Sequence, residues 1–262
     1  MKNFYALFIF ILFISLASCR VDEFSPCDNA PGMEGLLCKE FRFENDASIG
    51  YLAYYYNSDR LFNRKEYKAT DGQLKKYDTY EYETGKLSIE HSFTEEGKLI
   101  SEKKYTYNSS SNLSNVTHIE DGVEVSYKSF EYTDTLLQKE SNYSFNQLDN
   151  YTVYQYYNGE TNLYRKSLYS AAGELLSYTN IEYFINNYQR HNHYNGNYEF
   201  TGYDVYVYDN AQNILRFSIY DATGKLITLT EYNYSSEGQL DSSSEYDEDG
   251  KLRKNNKFIY ND

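Results

Sequence analysis

The chain has 262 residues, 33 of them tyrosine and 15 phenylalanine, with no tryptophan and only two prolines. Disordered chains are poor in aromatics, so this composition excludes a disordered polymer, and tyrosine-rich composition favours strands with a thin, amphipathic core. A formal charge of −14 repels phosphates and anionic lipid surfaces, which excludes direct nucleic-acid binding.

In chain order, the first element is an apolar run from Phe4 to Leu16 behind Lys2. It is too short for a typical membrane span and fits a signal peptide covering residues 1–18. The run ends in Leu16-Ala17-Ser18-Cys19, which resembles the lipobox of bacterial lipoproteins. The resemblance implies cleavage before Cys19, a diacylglycerol on its thiol and attachment to a membrane. Arg20-Val21-Asp22-Glu23 follows and resembles the acidic tag that directs some lipoproteins to the outer face of the outer membrane. The expected location is therefore an outer-membrane lipoprotein, surface-exposed or facing the periplasm.

Residues 19–45 read as a lipidated tether, since both prolines, Pro26 and Pro31, fall there. Cys27 and Cys38 lie in the same stretch. Outside the cytoplasm two such cysteines more often pair than bind metal, which makes them a candidate disulfide.

Residues 46–262 read as a tyrosine-rich β-repeat domain. From Leu61 onward a large apolar residue is followed six positions later by an aromatic, as in Leu74/Tyr80, Leu87/Phe93, Leu99/Tyr105 and Leu226/Tyr232. On a helix this offset turns a pair by about 600°, to opposite sides, whereas on a strand it keeps both on one face. The series predicts about 16 strands. Two positions beyond the aromatic, every second unit carries a further tyrosine: Tyr82, Tyr107, Tyr132, Tyr156, Tyr183, Tyr208, Tyr234 and Tyr260. The alternate units carry Ala69, Glu95, Asp121, Phe145, Ala171, Gly196, Ala222 and Glu248. The repeat is therefore a hairpin of two strands, L-x5-[YF] and L-x5-Y-x-Y, present eight times. Turns such as D-A-T-G (221–224) supply the glycine that tight hairpins need.

This pattern resembles the tyrosine-rich YD (RHS-type) repeats of bacterial surface and secreted proteins, with Y-V-Y-D-N-A-Q-N-I-L (206–215) as its nearest copy. The resemblance implies extended or coiled β-sheets, sometimes wrapped into a shell, and no shared catalytic residues. The expected fold is an all-β, repetitive antiparallel meander forming an elongated or rolled sheet. Polar residues such as Lys76, Asp78, Ser101 and Lys103 lie between the apolar and aromatic positions and speak against a transmembrane barrel.

Chemistry is sparsely signalled. His191 and His193 in H-N-H share a strand face without a third metal ligand in the sequence nearby, and E-Y-D-E-D-G (245–250) reads as a hairpin turn rather than a calcium loop. No nucleophile elbow, zinc-protease motif or phosphate loop is present in the sequence. The reading is a non-catalytic, membrane-anchored surface lipoprotein without cofactor or metal, whose repeat sheet is a binding or scaffold surface. The tyrosine row from Tyr82 to Tyr260 is its candidate binding rim, and a protein or a glycan is the expected partner. Glycan binding, or shielding of a partner protein in the periplasm, are the alternatives.

Overall fold

The computed structural model describes residues 32–185 and 187–261. Cys19, Cys27 and the signal-peptide stretch lie outside the described residues. Cys38 is buried and disulfide-bonded.

The described chain is a meander of eighteen antiparallel strands. The first six are β1 (Leu37–Glu44), β2 (Ala47–Tyr56), β3 (Phe62–Lys68), β4 (Leu74–Glu83), β5 (Lys86–Thr94) and β6 (Leu99–Tyr107). Then come β7 (Leu113–Glu120), β8 (Val123–Thr133), β9 (Leu136–Ser144), β10 (Gln147–Tyr156), β11 (Leu163–Ser170) and β12 (Leu175–Phe184). The last six are β13 (Tyr188–Asn195), β14 (Phe200–Tyr208), β15 (Ile214–Asp221), β16 (Leu226–Tyr234), β17 (Leu240–Asp247) and β18 (Leu252–Tyr260). Each strand pairs with its neighbours in sequence, and β1 also pairs with β18 from Leu37↔Tyr260 to Glu44↔Lys254.

The sheet is therefore a closed barrel. This corrects the expectation of about 16 strands in an elongated or rolled sheet. The two additional strands precede Leu61, and β1 lies inside the stretch read as tether, so the folded part reaches back to Leu37. They form a ninth hairpin of the same kind, with Leu37/Phe43 in one strand and Tyr54-x-Tyr56 closing the other.

Closure has a local cause. Seventeen of the eighteen strands carry one extra, unpaired residue near their start, for example Lys75, Ser88, Ile100, Tyr164 and Ile227. Such a bulge bends the strand and increases its right-handed twist, and repeated round a sheet it brings the edges together. Joining the edges leaves no unpaired strand among those described to recruit another chain. β13 is the exception, running in unbroken register with β12 from Tyr188↔Phe184 onward.

In the bulged strands the bulges also correct the same-face reading of the six-residue pairs, whereas Tyr188/Tyr194 on β13 keeps it. Leu87 sits opposite Tyr82 while Phe93 sits opposite Tyr77, and Tyr77 and Tyr82 are five residues apart on β4. Odd spacing along a pleated strand means opposite faces, so the bulge at Ser88 has turned Leu87 away from Phe93. In the first unit the frame starts one residue later than read: Phe62, not Leu61, opposes Tyr56, with Asn63 bulged.

The wall is polar on both sides. On the face that carries Asp78, that residue is 3% exposed and is held by Tyr67 Oη (2.9 Å), Ser92 Oγ (2.8 Å) and Lys65 Nζ (3.2 Å). On the face that carries Tyr77, Arg64 and Lys68 flank Glu66 at 2.7 and 2.9 Å, and Lys104 pairs with Glu102 at 3.0 Å. Aromatic pairs lie directly across neighbouring strands on that face: Tyr77–Phe93, Tyr127–Tyr143, Tyr178–Tyr194 and Tyr203–Tyr220, at 4.2–4.9 Å between ring centres. Such cross-strand pairs fix register. The fully buried hydrophobic residues are few among those described, namely Met33, Cys38, Leu52, Ala53 and Ile181. Paired rings and hydrogen-bonded charges take the place of a conventional core.

Candidate functional site

The hairpins gather chemistry at the two open ends of the barrel. One rim holds the turns that follow odd-numbered strands. At Asp221–Lys225 the Asp221 carboxylate accepts the backbone N–H groups of Thr223 (2.8 Å) and Lys225 (2.9 Å), and Gly224 takes φ 86°. Asp247 does the same for Asp249 and Lys251 and also meets Arg253 at 2.6 Å. Its oxygens are committed to the hairpin turn of E-Y-D-E-D-G. Ile49, Val123, Phe145 and Tyr198 stand exposed along this rim, with Phe145 at 69%. Carboxylates of the turns, among them Asp46, Glu95, Asp121 and Glu199, alternate with them. This glycine-turn rim is thus an acidic ring studded with apolar side chains.

The opposite rim is made by the Y-x-Y ends. Tyr82, Tyr107, Tyr132, Tyr156, Tyr183, Tyr208, Tyr234 and Tyr260 all lie there, joined by Tyr56 from the ninth hairpin. Most of their hydroxyls donate to the carbonyl of the residue just before the bulge of the preceding strand. Tyr82 reaches Phe62 O (2.7 Å), Tyr107 Leu87 O (2.9 Å), Tyr156 Leu137 O (2.9 Å), Tyr183 Leu163 O (3.0 Å) and Tyr234 Ile214 O (3.0 Å). Tyr56 reaches Leu37 O at 3.1 Å. The hydroxyl takes up a carbonyl at the point where the bulge interrupts the ladder. Tyr208 departs from this, donating to the Gln189 side chain at 3.3 Å, and its neighbour β13 is the strand without a bulge. Burial, with Tyr260 and Tyr82 close by, pushes the Tyr56 hydroxyl up to about 12, so it remains a donor at neutral pH. The candidate row is therefore a single rim, with most hydroxyls engaged in bracing strand starts and the rings partly exposed.

Two features of this tyrosine rim escaped the sequence. Arg60, in the β2–β3 turn, donates to Gly32 O and to Glu34 O (3.0 Å), and Gly35 N donates to Asn261 O at 2.8 Å. The chain thus enters the barrel at this rim. Round the rim, Tyr183, Phe184, Ile185, Tyr188 and Val207 line an open hollow of about 720 Å³, with Ile185 wholly exposed.

The histidines are occupied differently. His193 meets Thr179 Oγ1 at 3.0 Å and Asp204 at 2.9 Å, leaving neither ring nitrogen for a metal. His191 packs on the Tyr206 ring at 4.7 Å, and its buried Nε2 has no hydrogen-bond partner. Burial, aided by the Lys166 charge, lowers its pKa to about 4. Among the described residues no group of three or more His, Cys, Asp or Glu is placed to hold a metal ion.

The class these features define is a closed, eighteen-stranded barrel of tyrosine-braced hairpins. No known protein family matches the chain, and no curated protein does either. Among solved structures, a porin-like protein from Bacteroides uniformis is similar at a TM-score of 0.47 and 8% identity, over 87% of this chain and 97% of that one. A porin-like protein from Bacteroides vulgatus is similar at a TM-score of 0.31 and 11% identity, over 87% and 99%. The Photorhabdus luminescens Tc holotoxin pore is similar at a TM-score of 0.24 and 12% identity, over 74% of this chain and 12% of that one.

Proposed function

We propose that the chain is a non-catalytic lipoprotein of the outer membrane, anchored through Cys19, whose barrel stands at the membrane and presents its glycine-turn rim to a protein partner. The observation that carries this reading is the entry of the chain at the tyrosine rim, clamped by Arg60 and Asn261. An anchor upstream of Gly32 attaches the molecule at that rim and leaves the glycine-turn rim at the end away from the attachment. A wall with ion pairs on both faces lacks the apolar band, about 25 Å tall, that a barrel needs to span lipid, which favours a barrel beside the membrane rather than through it. Exposed Phe145, Tyr198 and Val123 between carboxylates suit a partner surface that is apolar and basic.

The glycan reading has less support. Many tyrosine faces are already covered by a second ring or by a guanidinium, with Arg64, Arg165 and Arg190 lying 3.8–4.1 Å over Tyr77, Tyr178 and Tyr203. Cross-linked pull-down from intact cells tests the proposal. A partner captured by the native protein is expected to disappear with Phe145→Asp/Tyr198→Asp at unchanged melting temperature. Capture that survives those changes, or a hydrolytic activity lost with a single carboxylate, contradicts it. Protease shaving of intact cells decides the outer face against the periplasmic one.

A further inference from the structure

We propose that the tip of the β12–β13 hairpin docks into the lipid surface on which the barrel is anchored. This rests on the anchored reading above.

Tyr183, Phe184 and Ile185 project from the tyrosine rim, and Tyr157 on the β10–β11 turn is near Tyr183. All four are exposed, and Ile185 is wholly so. Phe184 and Tyr188 contact each other at 4.7 Å, Tyr157 and Tyr164 at 5.2 Å, and Tyr157 lies near enough to Tyr183 to act on its hydroxyl, so two aromatic pairs sit close together on this sector. Contiguous exposed apolar area of this kind marks an interaction site. Other tight turns of the same rim are polar at the corresponding place: Thr84-Gly85 and Asp134-Thr135. The β12–β13 seam is also the one without a bulge, so nothing in its register bends this tip as the others are bent.

The chain outside the described residues identifies the occupant. It leaves at Gly32 on this same rim, and Cys19 is thirteen residues further back. An extended tether of that length reaches at most about 45 Å, so a lipid on Cys19 attaches the molecule at this rim and holds it within that distance of the bilayer. Charge points to the same kind of surface. Residues 157–162, 185, 187 and 209–213 contain no lysine or arginine but five asparagines besides Glu160 and Asp209. Such a patch has no means of attracting anionic headgroups. It binds by apolar burial, with tyrosine at the headgroup level, and it suits a neutral, zwitterionic lipid surface. The chain's entry at Gly32 and the patch lie on different sectors of one rim, so a lipid on Cys19 and the docked tip together would hold the barrel upright.

The absence of tryptophan from the chain makes the test direct. Ile185→Trp and, as control, Phe145→Trp are placed singly in the full, lipidated protein in vesicles of phosphatidylcholine and phosphatidylethanolamine, with and without brominated acyl chains. The indole at position 185 is expected to emit at shorter wavelength, to lose at least half its intensity to brominated lipid and to resist iodide. The indole at position 145 is expected to behave as in water, and the signal at 185 to be unchanged between low and high salt. Quenching by iodide at both positions, with the lipid on Cys19 verified by mass spectrometry, overturns docking and leaves the anchor standing. An unmodified Cys19 overturns both. Shielding of position 185 without vesicles also overturns docking: with concentration dependence it identifies a second copy as the occupant, and without it the chain's own N-terminal segment.

Discussion

At the scale of single residues, tyrosine carries the architecture because it offers a flat ring for its neighbour and a hydroxyl for a carbonyl. The hydroxyl of Tyr82 on Phe62 O is worth about 1 kcal/mol net, the usual value for one neutral hydrogen bond. Tyr82→Phe is therefore expected to lower stability by about that amount in urea unfolding without changing the slope, and a double change with the distant Tyr234→Phe is expected to add. His191 gives a second residue-level prediction. Its folded pKa of about 4 lies below the ordinary value of 6.5, so the unfolded chain takes up a proton before the folded one. Stability from the neutral ring is complete above pH 6.5 and is lost as pH falls toward 4. The groups around it are Asp204, Lys166 and His193, and these stay in place in His191→Phe. Melting temperatures between pH 6.5 and 4 are expected to fall more steeply for the native protein than for His191→Phe; parallel slopes would contradict the assignment. The alternation of Tyr82 and its equivalents was plain in the sequence. Their hydroxyl partners were not, because those depend on which strand start lies alongside.

At the scale of the element, the repeating unit is a hairpin with a bulge near the start of each strand. The bulge has no sequence signature here: the extra position is Lys75, Ser88, Ile100, Leu176 or Thr201, residues with nothing in common. Counting six from leucine to tyrosine thus gave the right element and the wrong face for the leucine. A glycine does mark two of these places, Gly50 after bulged Ile49 and Gly202. Gly202, immediately after bulged Thr201, takes φ 143°, and a Cβ built there would lie 2.4 Å from Tyr220 O. Gly85, in an open turn at φ 79°, has nothing nearby. Gly202→Ala must displace a neighbouring strand's backbone, whereas Gly85→Ala meets only the conformational penalty, about 1 kcal/mol. Thermal unfolding is expected to show the larger loss for Gly202→Ala. Equal losses would mean that the strands at this bulge are less closely apposed than described.

For the whole molecule, the difference between an open sheet and a barrel turns on its two ends. The ninth hairpin was present in the sequence as Leu37/Phe43 and Tyr54-x-Tyr56, but Ser48 stands where the other long strands mostly carry leucine or phenylalanine. Its region also holds the prolines and cysteines of a tether, which masked it. Closure itself was not legible, since it follows from bulge and twist summed over eighteen strands rather than from any one motif. It also decides what the molecule can do. A closed wall presents its turns as two rims, and the chain's entry distinguishes one rim from the other. Amide hydrogen exchange in β1 and β18, read peptide by peptide, tests closure most directly. In a closed barrel the amides of Leu37–Glu44 and Leu252–Tyr260 are protected as strongly as those of β9 and β10, and rapid exchange of alternate amides in both terminal strands would mean that the sheet is open.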